Sequence, residues 1–192
     1  MSSHHVIRDN QEAAVFLYDH TSCDSEILGS ALEWSPLIIT TENSAEFLLR
    51  SGIKIDVVLI KSIGIETNSA YEYTTHNIED SYLGSGLRLL TDKNHKAVYI
   101  FGSLDSLDLE VIESSGLVIS IIDRKRKWSF IKKGKINKWL PDGAKLYIKS
   151  TAKIASEGVY QSVDVPNLIK IDKEGLVKLK SDQGFWLGED IS

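Results

Sequence analysis

Short apolar runs alternate with amphipathic stretches up to about residue 123, and the pattern then changes. Ala13–Tyr18 (AAVFLY) is a continuous apolar run of strand length, the form a strand takes when both its faces are covered. Asp24–Trp34 follows, with Ile27, Leu28, Ala31 and Leu32 at helical spacing. Ser22 or Asp24 can cap that helix, and Pro36 ends it. Leu37–Thr41 (LIITT) is rich in β-formers. Asn43 and Glu46 have the spacing of a capping box, opening a short helix with Phe47, Leu48 and Leu49 that Gly52 stops. Ile55–Ile60 (IDVVLI) reads as a third strand, and Ile63–Thr75 as a polar loop with room for one extended piece. The longest helix is predicted from Asn77 to about Lys93, with Leu83, Leu87 and Leu90 on one face. Gly84 and Gly86 weaken it by about 1 kcal/mol each relative to Ala and permit close packing on a sheet. Ala97–Phe101 (AVYIF) is a fourth strand, Leu107–Ser114 a short helix and Leu117–Ile122 (LVISII) a fifth strand.

Strands alternating with helices imply an α/β unit with a Rossmann-like parallel sheet and helices on both faces. After Asp123 the segments are short and strand-like: Lys127–Lys132, Lys145–Lys149, Leu168–Ile171, Leu176–Lys180 and Phe185–Leu187. Gly-bearing turns at Lys133–Lys135, Pro141–Gly143 and Lys173–Gly175 separate them. Val177 and Leu179 alternate with Lys178 and Lys180 as in a half-buried strand. This part reads as a small antiparallel β-sandwich. The expected division is an α/β domain over 1–123 and a β-sandwich domain over 124–192.

Composition narrows this picture only slightly. With 192 residues, 42% hydrophobic and 26% charged, the chain can bury a core. A net charge of -5 argues against a nucleic-acid partner, which calls for a basic field. Arg124–Lys127, Lys132, Lys133, Lys135 and Lys138, with Trp128 and Trp139 among them, form a basic run. It reads as a solvated hairpin whose lysines guard an edge strand, with a phosphate-bearing ligand near Arg124 as the other use. No apolar stretch is long enough to cross a membrane, and the polar start of the chain, His4-His5 included, lacks an apolar signal core. The expectation is a cytoplasmic protein with no membrane partner. The single cysteine, Cys23, is either a reactive thiol near a helix start or a small partly buried residue.

No glycine-rich phosphate loop, CxxC, HxxxH or Gly-x-Ser-x-Gly occurs. In an open parallel sheet ligands bind beyond the carboxyl ends of the strands, which draws attention to Glu42 after the second strand, Asp80 in the first turn of the long helix, and Asp105 and Asp108 after the fourth strand. A Mg²⁺–nucleotide site needs carboxylates converging there. Each also has a plain structural use: Glu42 as a loop carboxylate, Asp80 against a helix dipole, and Asp105 or Ser106 as a helix cap.

Ser2–Glu12, Leu32-Glu-Trp-Ser-Pro36, Gly52–Leu59, His95-Lys-Ala-Val98 and Lys133–Trp139 form collinear blocks that resemble thiamine pyrophosphokinases of the Bacteroidetes type. The resemblance implies an α/β catalytic half, a β-sandwich half and a homodimer. It also implies a reaction in which ATP passes its pyrophosphoryl group to thiamine with Mg²⁺, giving AMP and thiamine diphosphate. Against that pattern, Tyr18-Asp19-His20 stands for Asn-Gly after the first strand, and Glu42-Asn43-Ser44 for Asp-Gly-Ala after the second. Ile60-Lys61-Ser62-Ile63 stands for Gly-Asp-Phe-Asp after the third strand, with both carboxylates replaced. Asp80-Ser81-Tyr82 keeps only the first acid of Asp-Thr-Asp, and the stretch around Leu104–Asp108 lacks the Arg and His. The resemblance therefore implies Asp80 as the catalytic carboxylate and a metal ligand, with Asp105 as a substitute metal ligand beside it. Glu42, Asn43, Lys61 and Arg124 would contact the nucleotide or its phosphates, and Asn167 is the nearest match to a thiamine-pocket residue. Three outcomes stand open: a family member with weakened or lost catalysis, an active enzyme using Glu42, Asp80 and Asp105, or a module that binds nucleotide, thiamine phosphate or another protein.

Overall fold

The computed structural model describes residues 12–61, 72–158, 161–162 (backbone only) and 167–191. Its contacts divide the chain into two compact units, Met1–Arg124 and Lys125–Ser192. The chain is an α/β protein with parallel strands in the first unit and antiparallel strands in the second. Among the described residues no helix is long and apolar enough to cross a membrane.

In the first unit, β1 (Ala14–Leu17), β2 (Ile38–Thr41), β3 (Val57–Ile60), β4 (Thr74–Asn77), β5 (Ala97–Phe101) and β6 (Val118–Asp123) lie in the order β6-β5-β1-β2-β3-β4. Every pairing among them is parallel. All residues of β1, β2 and β3 are buried, which explains their unbroken apolar sequences. Among the described residues, four α-helices connect the strands: α1 (Ser25–Leu32), α2 (Glu42–Arg50), α3 (Tyr82–Asp92) and α4 (Leu109–Ser114).

Local chemistry sets their ends. Asp24, not Ser22, caps α1, accepting from the Glu26 and Ile27 amides. Asp108, rather than Asp105 or Ser106, caps α4 through the Glu110 and Val111 amides. The capping box expected at Asn43 is not formed. The N-cap of α2 is Thr41, without a side-chain bond, and Glu46 instead pairs with Arg50 one turn on at 2.5 Å. The long helix starts at Tyr82 rather than Asn77, with Ser81 accepting from the Gly84 amide. Asn77 instead ends β4, which pairs with β3. Asp80 therefore precedes the helix instead of lying in its first turn. Gly86 faces the sheet, where a Cβ would meet the Phe16 ring at 2.6 Å and Leu59 at 3.2 Å. Much of the segment read as the Ile63–Thr75 loop, like His4-His5, lies outside the described residues.

The second unit has two sheets. β7 (Arg126–Ile131), β14 (Phe185–Asp190), β9 (Lys145–Lys149), β12 (Leu168–Lys170) and β11 (Gln161–Ser162) pair in that order, antiparallel. β8 (Lys135–Leu140), β13 (Gly175–Lys180) and β10 (Ala155–Gly158) form the other, with β13 in the middle. Leu140, Val177 and Leu179 from the smaller sheet share a core with Leu146, Ile148, Phe185 and Leu187 from the larger. The basic run is not a hairpin: β7 pairs with β14 and β8 with β13, so the turn at Gly134 carries the chain from one sheet to the other. Its φ of 62° and the Ser181 carbonyl 2.5 Å from where a Cβ would sit explain the glycine.

Candidate functional site

The first unit's strand order reverses between β1 and β5, because the chain runs from β1 out to β4 before returning to β1's other side. In open parallel sheets such a reversal marks the ligand crevice at the carboxyl ends of the strands. Here that edge is closely tied. The Tyr18 and Asp19 amides both donate to the Phe101 carbonyl at 3.0 Å, and the Arg124 amide donates to the Ser22 carbonyl at 2.8 Å. Asp19 holds the turn after β1, accepting from the Thr21 amide, the Thr21 hydroxyl and Ser22 Oγ. Burial opposes the charge on Asp19, but those hydrogen bonds with nearby His20 outweigh it and hold the carboxyl below its ordinary value. His20 stacks on Phe47, with ring centroids 5.5 Å apart, and its Nδ1 lies 3.3 Å from Ser44 Oγ. Asp123, at the end of β6, accepts from the Leu104 amide at 3.2 Å.

Of the residues singled out in the sequence, the structure brings Glu42 and Lys61 together. Glu42 opens α2 directly after β2, and Lys61 follows β3 directly. The Lys61 amide donates to Glu42 Oε1 at 3.4 Å, and the Tyr82 hydroxyl donates to the same oxygen. The Lys61 ammonium lies 5.2 Å from the Tyr82 ring centroid, within the range of a cation–π contact. Desolvation, reinforced by the hydrogen bond and charge of Glu42, pushes the Tyr82 phenol up to about 12, so it stays a donor to the carboxylate. Asn43 is exposed beside Glu42 on the first turn of α2.

Asp80 and Glu79 both pair with Arg88 of α3, the Asp80 pair at 3.3 Å. The two carboxylates keep the Arg88 guanidinium above its ordinary value. Asp105 sits exposed in a 3-10 turn after β5. Arg124 is exposed with φ 55°, and Asn167, in the second unit, has φ 67° and offers its carbonyl to the Ile148 amide. Cys23 is not activated: burial, then Asp24, raises its thiol to about 11, so the reading as a packing residue holds. Tyr82 and Arg88 were not singled out in the sequence. Nothing in the local pattern marks Tyr82, which meets Glu42 across a separation of 40 residues.

Mg²⁺ prefers octahedral oxygen coordination, usually one or two carboxylates together with phosphate oxygens. Two of the candidate carboxylates are already engaged. Glu42 is held by a phenol and an amide beside an ammonium, and Asp80 is held by a guanidinium. Among the described residues no group of three or more His, Cys, Asp or Glu can hold a metal ion.

No family model and no curated protein matches the sequence. Solved structures do. A thiamine pyrophosphokinase from Bacillus subtilis superposes with a TM-score of 0.67 at 10% identity, over 93% of this chain and 99% of that one. A probable thiamine pyrophosphokinase from Staphylococcus saprophyticus gives 0.66 at 14% identity, over 94% and 99%. The fold is that of the thiamine pyrophosphokinases. The enzyme from Candida albicans extends the likeness to a eukaryote, with a TM-score of 0.62 at 10% identity over 94% of this chain and 90% of that one. Identities this low carry the shared fold alone, because one scaffold hosts different chemistries.

Proposed function

We infer that this chain is a divergent thiamine pyrophosphokinase-like protein of the Bacteroidetes type, Rossmann-like in its first half with helices on both sheet faces. On this reading it has lost Mg²⁺-dependent pyrophosphoryl transfer and acts as a binding module for thiamine, thiamine phosphates or adenine nucleotides. One observation carries the reading: the Glu42 carboxylate is closed by Tyr82 and Lys61 at the strand ends where a metal-dependent transferase needs free carboxylates. Phosphoryl-type transfer works by positioning and by neutralising charge on the transferred group. Lys61 brings one positive charge to the edge but cannot organise oxygens octahedrally around itself. Lys61 and Arg124 are the proposed phosphate contacts, Glu42 and Asn43 line the nucleotide side, and Asn167 is assigned to thiamine. A cytoplasmic homodimer completes the proposal.

The test is purified protein with ATP, Mg²⁺ and thiamine, followed by chromatography. The reading expects no AMP or thiamine diphosphate above a protein-free control. Thermal shifts with thiamine diphosphate, ATP and AMP then probe binding, since a ligand that binds the native state raises the melting temperature in proportion to the logarithm of its excess. Equimolar AMP and thiamine diphosphate, abolished by Asp80→Asn, would restore Asp80 as a metal ligand. A ligand series without any shift would remove the binding half.

A further inference from the structure

We propose that the free edge and outer face of the smaller sheet in the second unit form a docking site for an extended acidic segment of another protein. Four large apolar residues are exposed among the described residues, and two of them, Trp139 (59%) and Leu176 (45%), are direct cross-strand partners on β8 and β13. Side chains alternate along a strand, so Lys135, Asn137 and Trp139 of β8 share that face with Leu176, Lys178 and Lys180 of β13, all exposed. Isolated exposed apolar residues are ordinary, but a paired tryptophan and leucine in register form a patch of the kind that marks an interaction site.

β8 is also an edge strand, paired to β13 on one side and to no described strand on the other. Its backbone groups on the open side can pair with an incoming extended chain, as in strand addition. Beside its C-terminal end lies a cleft of about 500 Å³, lined by Trp139, Pro141, Ala144, Lys145 and Glu189 among others. An added strand would send alternate side chains into this cleft and onto the outer face beside Trp139.

Charge selects the occupant. The second unit carries 14 Lys and Arg against 8 Asp and Glu, a net of +6, whereas the first carries 8 against 19, a net of -11. On the outer face Lys135, Lys178 and Lys180 stand against one carboxylate, Glu157, which is cross-strand from Lys178. Within the cleft Glu189 is already paired with Lys138, and Asp190 with Arg126. A second copy adding β8 to β8 would extend the sheet with the same lysine-bearing face, so like charges oppose it. A single-stranded nucleic acid is better served by several aromatic side chains spaced for successive bases, and among the described residues this face offers one.

The probe is a short synthetic peptide alternating Glu with Val and carrying one Phe, titrated calorimetrically into the full-length protein. Its Lys-for-Glu counterpart and oligothymidylate are run alongside. The acidic peptide should bind and should slow amide exchange at Lys135–Leu140. Trp139→Ala should weaken it about tenfold or more, as expected of a central aromatic anchor. The double change Lys135→Glu with Lys178→Glu should transfer the preference to the Lys peptide. All three positions are exposed, so melting temperatures should stay near that of the parent. No binding by the acidic peptide overturns the proposal, and so does equal binding of the Lys peptide. Trp139-dependent oligothymidylate binding, or self-association lost in Trp139→Ala, would replace the peptide with a nucleic acid or a second copy.

Discussion

The same substitution, glycine to alanine, should change stability in opposite directions at two helical positions. Gly86 in α3 lies over Phe16 of β1, whose ring is fully buried and meets Tyr18 edge-on at 5.8 Å. A Cβ at Gly86 would come to 2.6 Å and 2.9 Å of Phe16 ring atoms and 3.2 Å of Leu59. Alanine gains about 1 kcal/mol over glycine from helix propensity. Forcing a methyl into a packed interior costs about 1–3 kcal/mol, and a fully buried ring has little room to yield. The net expectation is a loss of about 1 kcal/mol. Gly29 in α1 has nothing within 4 Å of the same added atom, so only the propensity gain of about 1 kcal/mol remains. For a chain of this length 1 kcal/mol corresponds to about 2–4 °C in melting temperature. Scanning calorimetry of both variants should therefore show Gly86→Ala below the parent and Gly29→Ala above it. A Gly86→Ala protein that melts as high as Gly29→Ala would mean that α3 does not seat on β1 and β3 as described, and the positions of Tyr82 and Glu42 would fall with it.

His95, only 6% exposed, has an Nδ1 with no hydrogen-bond partner among the described residues, and burial lowers its pKa below the ordinary 6.5. The unfolded chain then takes up the proton more readily. His95 stability is fully present above pH 6.5 and is lost as pH falls toward the depressed folded value. Denaturant titrations across that window should flatten in His95→Gln, and an unchanged slope would exclude His95 as the source. Cys23, with its thiol at about 11 against an ordinary 9.0, should be alkylated by iodoacetamide at pH 8 about a hundredfold more slowly than a free thiol, in line with its thiolate fraction. Mass spectrometry reads this directly, and modification at the free-thiol rate would contradict the burial seen here.

What the sequence could reveal depended on how far apart the deciding groups lie. The strands of the first unit's centre were legible because burial on both faces leaves unbroken apolar runs, and Val177 and Leu179 were legible because a half-buried strand alternates. β4 (TTHN) was not. It is a polar, largely exposed edge strand whose identity comes from pairing with β3 rather than from its own pattern. The strand at β8 was implicit in the hairpin expected of the basic run, but its partner is β13 rather than β7. Caps were legible only to within a few residues, since Asp24, Ser81 and Asp108 each compete with neighbouring polar residues. The site was least legible. Glu42 and Lys61 were visible as residues at strand ends, but the Tyr82 hydroxyl that closes Glu42 and the Arg88 guanidinium that holds Asp80 come from α3, whose start was misplaced by several residues.

On the proposed function, Glu42 and Asp80 serve the fold and do not hold metal. Electron paramagnetic resonance with Mn²⁺ in place of Mg²⁺ tests it most directly, with ATP present and the full-length protein added stepwise. Glu42→Gln and Asp80→Asn should leave the Mn²⁺ spectrum the same as the parent protein does. A protein-bound Mn²⁺ signal that disappears in either variant would contradict it.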